Sequence, residues 1–302
     1  MTEKIMLIDG NSIVNRAFYG VPLLTNSKGE YTNAVYGFFN IIFKLLDDEK
    51  PDYMAVAFDL KAPTFRHKEY EQYKGTRKGM PEELASQMPM LKKLLSLLNV
   101  KQYSCEGYEA DDILGTLSKQ ALDKGLETIV VSGDRDLLQL ATDTLKIKIP
   151  KTKGGKTEVE DYYANDVVEK YGVTPKEFIE VKALMGDTSD NIPGVPSIGE
   201  KTAVKIIQQF KTVEEAINNA DLVKPAKASA NLKEYKEQAL MSRFLVEIVT
   251  NAPVELDLSQ MPSIGSDISG EAYEYIKELE FKSMLNRFSA EEKKEDIVSE
   301  NN

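Results

Sequence analysis

The sequence predicts an α/β fold: a central, mainly parallel sheet flanked by helices, followed by a helical C-terminal region. Three observations carry this. Three short apolar runs, at 4–9, 53–59 and 128–134, each end in an aspartate. Helical periodicity fills the intervals between them. After about residue 150, helical patterns joined by polar turns replace the apolar runs. Near-continuous apolar runs of this length suit strands buried on both faces, as parallel strands are.

Lys4-Ile-Met-Leu-Ile-Asp9 reads as the first strand, residues 33–48 as a helix, and Tyr53-Met-Ala-Val-Ala-Phe-Asp59 as the second strand. Leu84, Met88, Leu91, Leu95 and Leu98 recur at steps of four and three, which places them on one helical face. Residues 109–124 read as a further helix and Thr128-Ile-Val-Val-Ser-Gly-Asp134 as the third strand. Strands alternating with helices imply right-handed crossovers, and ligands in such sheets bind beyond the carboxyl ends of the strands. Asp9, Asp59 and Asp134 are therefore aimed at one edge. Thr152–Thr157 is a Lys/Gly-rich turn. Helices are expected over 160–171, 175–185, 200–210, 212–219, 230–249 and 271–285. Residues 289–302 lack an amphipathic face and read as a disordered tail or linker. The expected organisation is an α/β core over 1–170, a helical region over 171–288, and that tail.

Among the 302 residues, Cys105 is the only cysteine and His67 the only histidine. This excludes intramolecular disulfides, Cys/His zinc sites and iron–sulfur clusters. No apolar run approaches the roughly 18 residues that span a bilayer. Only Ile5–Ile8 separate Lys4 from Asp9, so no signal peptide is expected and a reducing cytoplasm fits best. The net charge is −11, from 38 basic and 49 acidic residues. That sum argues against a nucleic-acid partner but is silent about where the charges sit.

Nine carboxylates stand out. Besides Asp9 and Asp59, they are Glu109, Asp111 and Asp112 at a helix start, Asp134 and Asp136 after the third strand, and Asp187 and Asp190 in a Gly-rich loop. Capping and the helix dipole alone account for residues such as Glu109 and Asp134. The joint pattern says more. Two carboxylates 4 Å apart repel by about 4 kcal/mol at an effective dielectric near 20, so a cluster of this size requires protons or cations. Without a His or Cys cluster, hard oxygen-preferring ions are implied, Mg²⁺ or Mn²⁺. All-carboxylate sites holding two such ions suit phosphoryl chemistry.

Residues 60–78 hold six Lys/Arg and two Glu, with Tyr70 and Tyr73 interleaved. Cations that neutralise phosphates and rings that stack on bases suit a single-stranded or frayed nucleic-acid end. An ordinary solvated loop has the same composition. Gly194 and Gly199 bracket a tight turn before a helix expected near Glu200. Exposed amides there bind phosphate without reading sequence, with Lys201 adding charge. Gly194–Gly199 begins like a P-loop, but Glu200 breaks the required Gly-Lys step.

These residues carry a resemblance over roughly 4–288. The motifs are Asp9-Gly-Asn-Ser, Ala57-Phe58-Asp59, Phe65-Arg66-His67, Tyr73-Lys74-Gly75-x-Arg77, Gly107-Tyr108-Glu109-Ala110-Asp111-Asp112, Ser132-Gly133-Asp134-Arg135-Asp136 and Gly186-Asp187-x-Ser189-Asp190-Asn191-Ile192-Pro193-Gly194. The chain resembles the 5′ nuclease domains at the N-terminus of bacterial DNA polymerase I, within the flap endonuclease superfamily. The resemblance implies a PIN-like, resolvase-like nuclease fold with a helical arch at about 60–80 and a helix–three-turn–helix at about 186–210. It implies that Asp9, Asp59, Glu109 and Asp111 hold a first Mg²⁺ or Mn²⁺. Asp134, Asp136, Asp187 and Asp190 would hold a second, with Asp111 or Asp112 shared or in the outer shell. Lys74 and Arg77 would stabilise the scissile phosphate, and Tyr73 would stack on the displaced nucleotide. Arg16, Arg66, Gly194, Gly199, Lys201 and Thr202 would contact DNA, and the helix–three-turn–helix can hold K⁺ in relatives. Asn15 stands where many relatives carry an aromatic residue.

The implied activity is removal of 5′ nucleotides or 5′ flaps near single-strand/duplex junctions, for primer removal and repair. The implied partners are DNA with flaps, nicks or frayed 5′ ends, RNA primers and a covalently linked polymerase domain. A monomer in the cytoplasm, associated with the nucleoid, is expected. A catalytically silent flap- or nick-binding module is the alternative, and the intact acidic set argues against it. A haloacid-dehalogenase-type phosphatase is excluded because Asp9-Gly-Asn lacks the second Asp two residues on. Setting aside the nine carboxylates reduces −11 to −2. Setting aside the tail, with five acids and two lysines, leaves +1.

Overall fold

The computed structural model describes residues 2–153, 156–261 and 269–285; the expected tail at 289–302 lies outside them. The chain begins with β1 (Lys4–Asp9), α1 (Gly10–Gly20), α2 (Asn33–Glu49) and β2 (Tyr53–Ala57). It continues through the short helices α3 (Phe65–Glu69) and α4 (Glu82–Ala85), then α5 (Met88–Leu97), β3 (Lys101–Tyr103), α6 (Ala110–Asp123) and β4 (Glu127–Val131). A 3₁₀ turn at Arg135–Leu140 leads into a hairpin of β5 (Leu145–Lys153) and β6 (Lys156–Tyr162). Helices follow: α7 (Ala164–Tyr171), α8 (Pro175–Met185), α9 (Glu200–Phe210), α10 (Val213–Asn218), α11 (Ala226–Glu234), α12 (Lys236–Val246) and α13 (Gly270–Glu278).

The sheet order is β3-β2-β1-β4-β5-β6, parallel except for the antiparallel edge strand β6. Three of its strands lie where the apolar runs predict them. The other three differ from expectation. β3 has only three residues, too few to show a period. The Lys/Gly turn is narrower than expected, because residues at both its ends pair within the hairpin. The helix expected from 160 starts at Ala164, after β6. In β5, Leu145, Ile147 and Ile149 face the core, while Lys146 and Lys148 turn to the other face and are also buried. Both lysines ion-pair with Glu49 and Asp161, which makes that burial tolerable.

Alternation along β1 divides the core. Ile5 and Leu7 pack with α6 and with helices of the C-terminal region; Met6 and Ile8 pack with α1, α2 and α5. The first cluster runs without a break from the sheet into α8–α12. Ile276 of α13 returns to the second cluster. The C-terminal region is thus joined to both faces of the sheet. Among the described residues no helix is long and apolar enough to cross a membrane.

One buried ion pair fixes the approach of these parts. Arg66 of α3, 2% exposed, donates to both oxygens of Asp112 in the first turn of α6, at 2.7 and 2.8 Å. It also donates to the carbonyls of Leu245 and Glu247 at the end of α12. Asp112 accepts two further backbone bonds, from Glu109 and Val249. This corrects two expectations. Arg66 is not presented to DNA, because its guanidinium is consumed internally. Asp112 is not available as a metal ligand, because it is fully buried and its carboxylate already accepts four hydrogen bonds.

Arg66→Ala leaves Asp112 charged and unpaired in the interior, and should lower the unfolding free energy by about 3–5 kcal/mol. Denaturant unfolding of Arg66→Ala, Asp112→Ala and the double variant tests this. The double variant should lose clearly less than the sum of the singles; strict additivity would refute the coupling.

Candidate active site

The strand ends deliver the first carboxylates. Asp9 closes β1 and caps α1, accepting from the Ser12 amide at 2.9 Å and the Ser132 hydroxyl at 2.7 Å. Asp59, two residues past β2, accepts from the Ala110 amide at 2.8 Å, while its own amide donates to the Asn11 side chain. Glu109 is the N-cap of α6 and Asp111 lies in its first turn. Asp134 caps the 3₁₀ turn after β4. These five line one cavity of about 180 Å³ together with Asn11, Ser12, Asn15, Lys74 and Arg77. The sequence reading misses Asn11, Ser12 and Ser132 as orienting groups. Ser132 donates to Asp9 and accepts from the Asp134 amide, so one hydroxyl sets two of the carboxylates. Their signal is position: small polar residues directly beside the strand-end aspartates.

The cavity disfavours negative charge. Burial pushes the Asp9 carboxyl up to about 7 despite its two hydrogen bonds, and repulsion from Asp59 and Asp134 adds to it. Removal from water, then repulsion from Asp9 and Asp134, holds Asp111 well above the usual carboxylate range. Asp59 is raised too, though it lies at the open side where solvent reaches it.

Of the expected second group, Asp134 alone lines this cavity. Asp136 and Asp187 instead converge on Lys182 of α8, whose Nζ lies 2.9 Å from Asp136 Oδ1 and 2.5 Å from Asp187 Oδ2. Burial and the neighbouring Asp134 raise Asp136 to about 7 even so. Burial would raise Asp187 as well, but bonds from Lys182 and Ser189 outweigh it and bring it down to about 2. Asp190 accepts from Arg77 and the Tyr73 hydroxyl, and lies 3.7 Å from Lys74 Nζ. The sequence reading missed Lys182. Five residues before Asp187, it looks like a solvent-facing lysine of an ordinary helix. Among the described residues no group of three or more Asp, Glu, His or Cys side chains stands ready, as placed, to hold a metal ion.

The expected arch folds down onto the acidic site. Within 60–80 only α3 is helical, and the Lys74 amide donates to the Asp190 carbonyl. Lys74 Nζ donates to Glu109 at 2.7 Å. Tyr73 is 3% exposed, and its hydroxyl donates to Glu109 at 3.0 Å. Its ring is therefore not free to stack on a nucleotide, and this expectation is corrected. Burial, then Glu109, holds the phenol far above its ordinary value, so it stays a donor. Lys61, Lys68 and Lys78 are exposed. Arg16 lies beside Gly133 with a buried Nε that has no hydrogen-bond partner.

The loop 186–199 joins α8 to α9 as the helix–three-turn–helix reading expects. Gly186 and Gly194 have φ of +73° and +59°, and a Cβ on Gly194 would stand 2.3 Å from the Gly186 nitrogen. Only glycine permits that contact. The Gly194 amide, however, is buried and donates to Ser242 at 3.1 Å. It is not offered to a phosphate, which corrects the expectation for Gly194. Gly199 caps α9 in open surroundings. Lys201 and Thr202 line a groove of about 730 Å³ with Lys205 and Lys224.

Two family models match the chain in succession: a 5′-3′ exonuclease N-terminal resolvase-like domain over residues 4–172, and a 5′-3′ exonuclease C-terminal SAM fold over 173–268. DNA polymerase I of Bacillus subtilis is 49% identical over 289 residues, covering 95% of this chain and 32% of that protein. DNA polymerase I of Bacillus caldotenax is 47% identical over 297 residues, covering 97% and 34%. The chain thus spans about a third of the length of the curated relatives it matches. The bacteriophage T5 D15 flap endonuclease, solved with DNA and metal ions, shares the fold at a TM-score of 0.68 and 24% identity, covering 92% of this chain and 100% of that one.

The raised carboxyls make ion-free stability depend on pH. Asp9 and Asp136 bind a proton in the folded state up to about pH 7, against 3.8 for the ordinary group. Between those values the native state holds more protons than the unfolded one, so their contribution falls as pH rises through the window. In EDTA the melting temperature should fall between about pH 5 and pH 8, and Mg²⁺ should restore most of the loss at the upper end. A melting temperature that rises over that range in EDTA would contradict this electrostatic account.

Proposed function

The chain belongs to the 5′-3′ exonuclease family, and from that premise we propose that it is a structure-specific 5′→3′ exonuclease and 5′ flap endonuclease. It hydrolyses DNA phosphodiesters near single-strand/duplex junctions with two divalent ions. The observation that carries this reading is the cavity of Asp9, Asp59, Glu109, Asp111 and Asp134, where burial, then repulsion between neighbouring carboxylates, holds Asp9 and Asp111 above the usual carboxylate range. The donor set fits hard cations. All five side chains offer oxygen, and Mg²⁺ keeps several of its own waters, so an open carboxylate site suits it better than a closed cage. Mg²⁺ or Mn²⁺ is the proposed ion, with Asp134, Asp136, Asp187 and Asp190 serving the second. When bound, such ions supply the charge that activates water for attack and stabilises the leaving oxygen.

The chain's own residues do the rest. Lys74 and Arg77, at the cavity wall, neutralise the scissile phosphate once their carboxylate partners are satisfied by cations. Arg16, with its unpartnered Nε beside Gly133, holds a neighbouring phosphate. Gly199, Lys201 and Thr202, at the start of α9, grip duplex phosphates, and Lys205 and Lys224 extend that basic wall. K⁺ is a proposed occupant of the loop before α9. The substrates are DNA with flaps, nicks or frayed 5′ ends and RNA primers. The polymerase relatives, of which this chain spans a third, support a covalently linked polymerase domain as neighbour. A monomer working at the nucleoid in the cytoplasm completes the proposal.

The combined variant Asp134→Ala/Asp136→Ala should lose flap cleavage while still shifting flap DNA in a gel. Full cleavage by it in Mg²⁺ would sink the metal assignment. Lys74→Ala should slow single-turnover cleavage by about 10²–10³-fold with a much smaller change in duplex affinity, because it acts on charge that develops in the transition state. An unchanged rate removes Lys74 from the chemistry.

A further inference from the structure

Lys182 occupies a place that the proposed chemistry assigns to a cation. Asp136 comes from the 3₁₀ turn after β4, Asp187 from the loop after α8, and the Lys182 ammonium lies within ion-pairing distance of both. The three side chains are only 14%, 16% and 18% exposed, so salt screens their attraction little. The first carboxylate set has no such occupant. There, Lys74 hydrogen-bonds Glu109 at the wall, and among the described residues no ammonium lies within 4 Å of Asp9 or Asp111. α8 is held by its packing on α12 and on the 3₁₀ turn, so the ammonium is delivered to a fixed position. The side chain itself has a flexible four-carbon stem and can withdraw without moving the helix.

We propose that Lys182 is a resident counter-ion of the Asp136–Asp187 pair, standing in for the second divalent ion and giving way to it. The inference rests on the proposed two-ion nuclease reading and deepens it: Lys182 is a positioning residue that holds the second carboxylate set together while no ion is there. Its presence makes the second ion the weaker one, because that ion must displace an ammonium shared by Asp136 and Asp187, whereas the first meets Asp9 and Asp111, which have no ammonium in ion-pairing distance among the described residues. The two ions therefore bind in order.

The test is titration of the full chain with Mn²⁺ alone, followed by calorimetry and by the electron paramagnetic resonance signal of free Mn²⁺. The unsubstituted protein should show one tighter and one weaker ion. Lys182→Met removes the competitor and keeps the stem, and should tighten the weaker ion by about tenfold or more while leaving the tighter one within about twofold. Lys182→Arg keeps the charge and should leave the weaker ion weak. A merely structural lysine predicts the reverse for Lys182→Met, since damage to the site loosens both ions. If Lys182→Met does not fold, Lys182→Gln carries the same expectation. An unchanged or weakened second ion in the neutral variant overturns the inference while leaving the nuclease reading intact. Absence of Mn²⁺ binding in the unsubstituted protein overturns both.

Discussion

The bidentate pair between Arg66 and Asp112 determines how the acidic cavity is built. It lies where three parts of the chain meet: α3 at the start of the basic segment, the first turn of α6, and the carbonyls that end α12. A carboxylate as deeply buried as Asp112 is tolerable only with a paired, hydrogen-bonded partner. Arg66 supplies one whose remaining donors are satisfied by backbone carbonyls. With α6 pinned by its first turn, Glu109 and Asp111 have little freedom in where they face. With α3 pinned, the following turn brings Tyr73 and Lys74 down onto Glu109. The pair touches no cavity-lining group except Glu109, which lies 3.4 Å from Arg66. It nonetheless sets the positions of several.

The carboxylates around this clamp fall into two electrostatic classes. Asp112, Asp187 and Asp190 each have a cation within ion-pairing distance. Asp9 and Asp111 are held mainly by neutral donors or none, and their affinity for protons rises accordingly. A protein selected for stability alone would exchange such groups for neutral ones, because uncompensated buried charge opposes folding. Raised carboxyls concentrated in one small cavity, with Asp136 raised beside it despite Lys182, are the pattern that functional sites produce. Structural ion pairing produces the other class, which looks the same in the sequence.

That distinction explains what was legible and what was not. The strand-end aspartates were readable because buried parallel strands leave a continuous apolar signature, and the residue after such a run must emerge at the sheet's carboxyl edge. β5 was overlooked because its lysines mimic a polar turn; only Glu49 and Asp161, far apart in sequence, show why Lys146 and Lys148 face inward. The resemblance implies DNA contacts for Arg66 and Tyr73, and neither its motifs nor the composition over 60–78 tells which side chains of a short helix and turn face the core. Lys182 was invisible for a related reason. α8 buries residues around most of its circumference, from Phe178 and Glu180 to Ala183 and Leu184, so no polar face marks its lysine as unusual.

The net charge of −11 takes on a different meaning once charges are placed. The cations nearest the cavity are not surplus: Lys74, Arg77 and Lys182 are each tied to carboxylates. Lysines with no ion-pair partner among the described residues lie farther out; they include Lys61, Lys68 and Lys78 on the basic segment and Lys201, Lys205 and Lys224 along the groove beside α9. A polyanion approaching this surface would meet the outer lysines first, and would meet the acids only where a phosphate reaches the cavity itself. Coulomb attraction between exposed charges fades over roughly 10 Å at moderate salt, so this local order of signs, and not the sum over the chain, governs the encounter. An acidic protein and a phosphate-backbone ligand are compatible on these terms, provided the cavity acids acquire cations before the phosphate arrives.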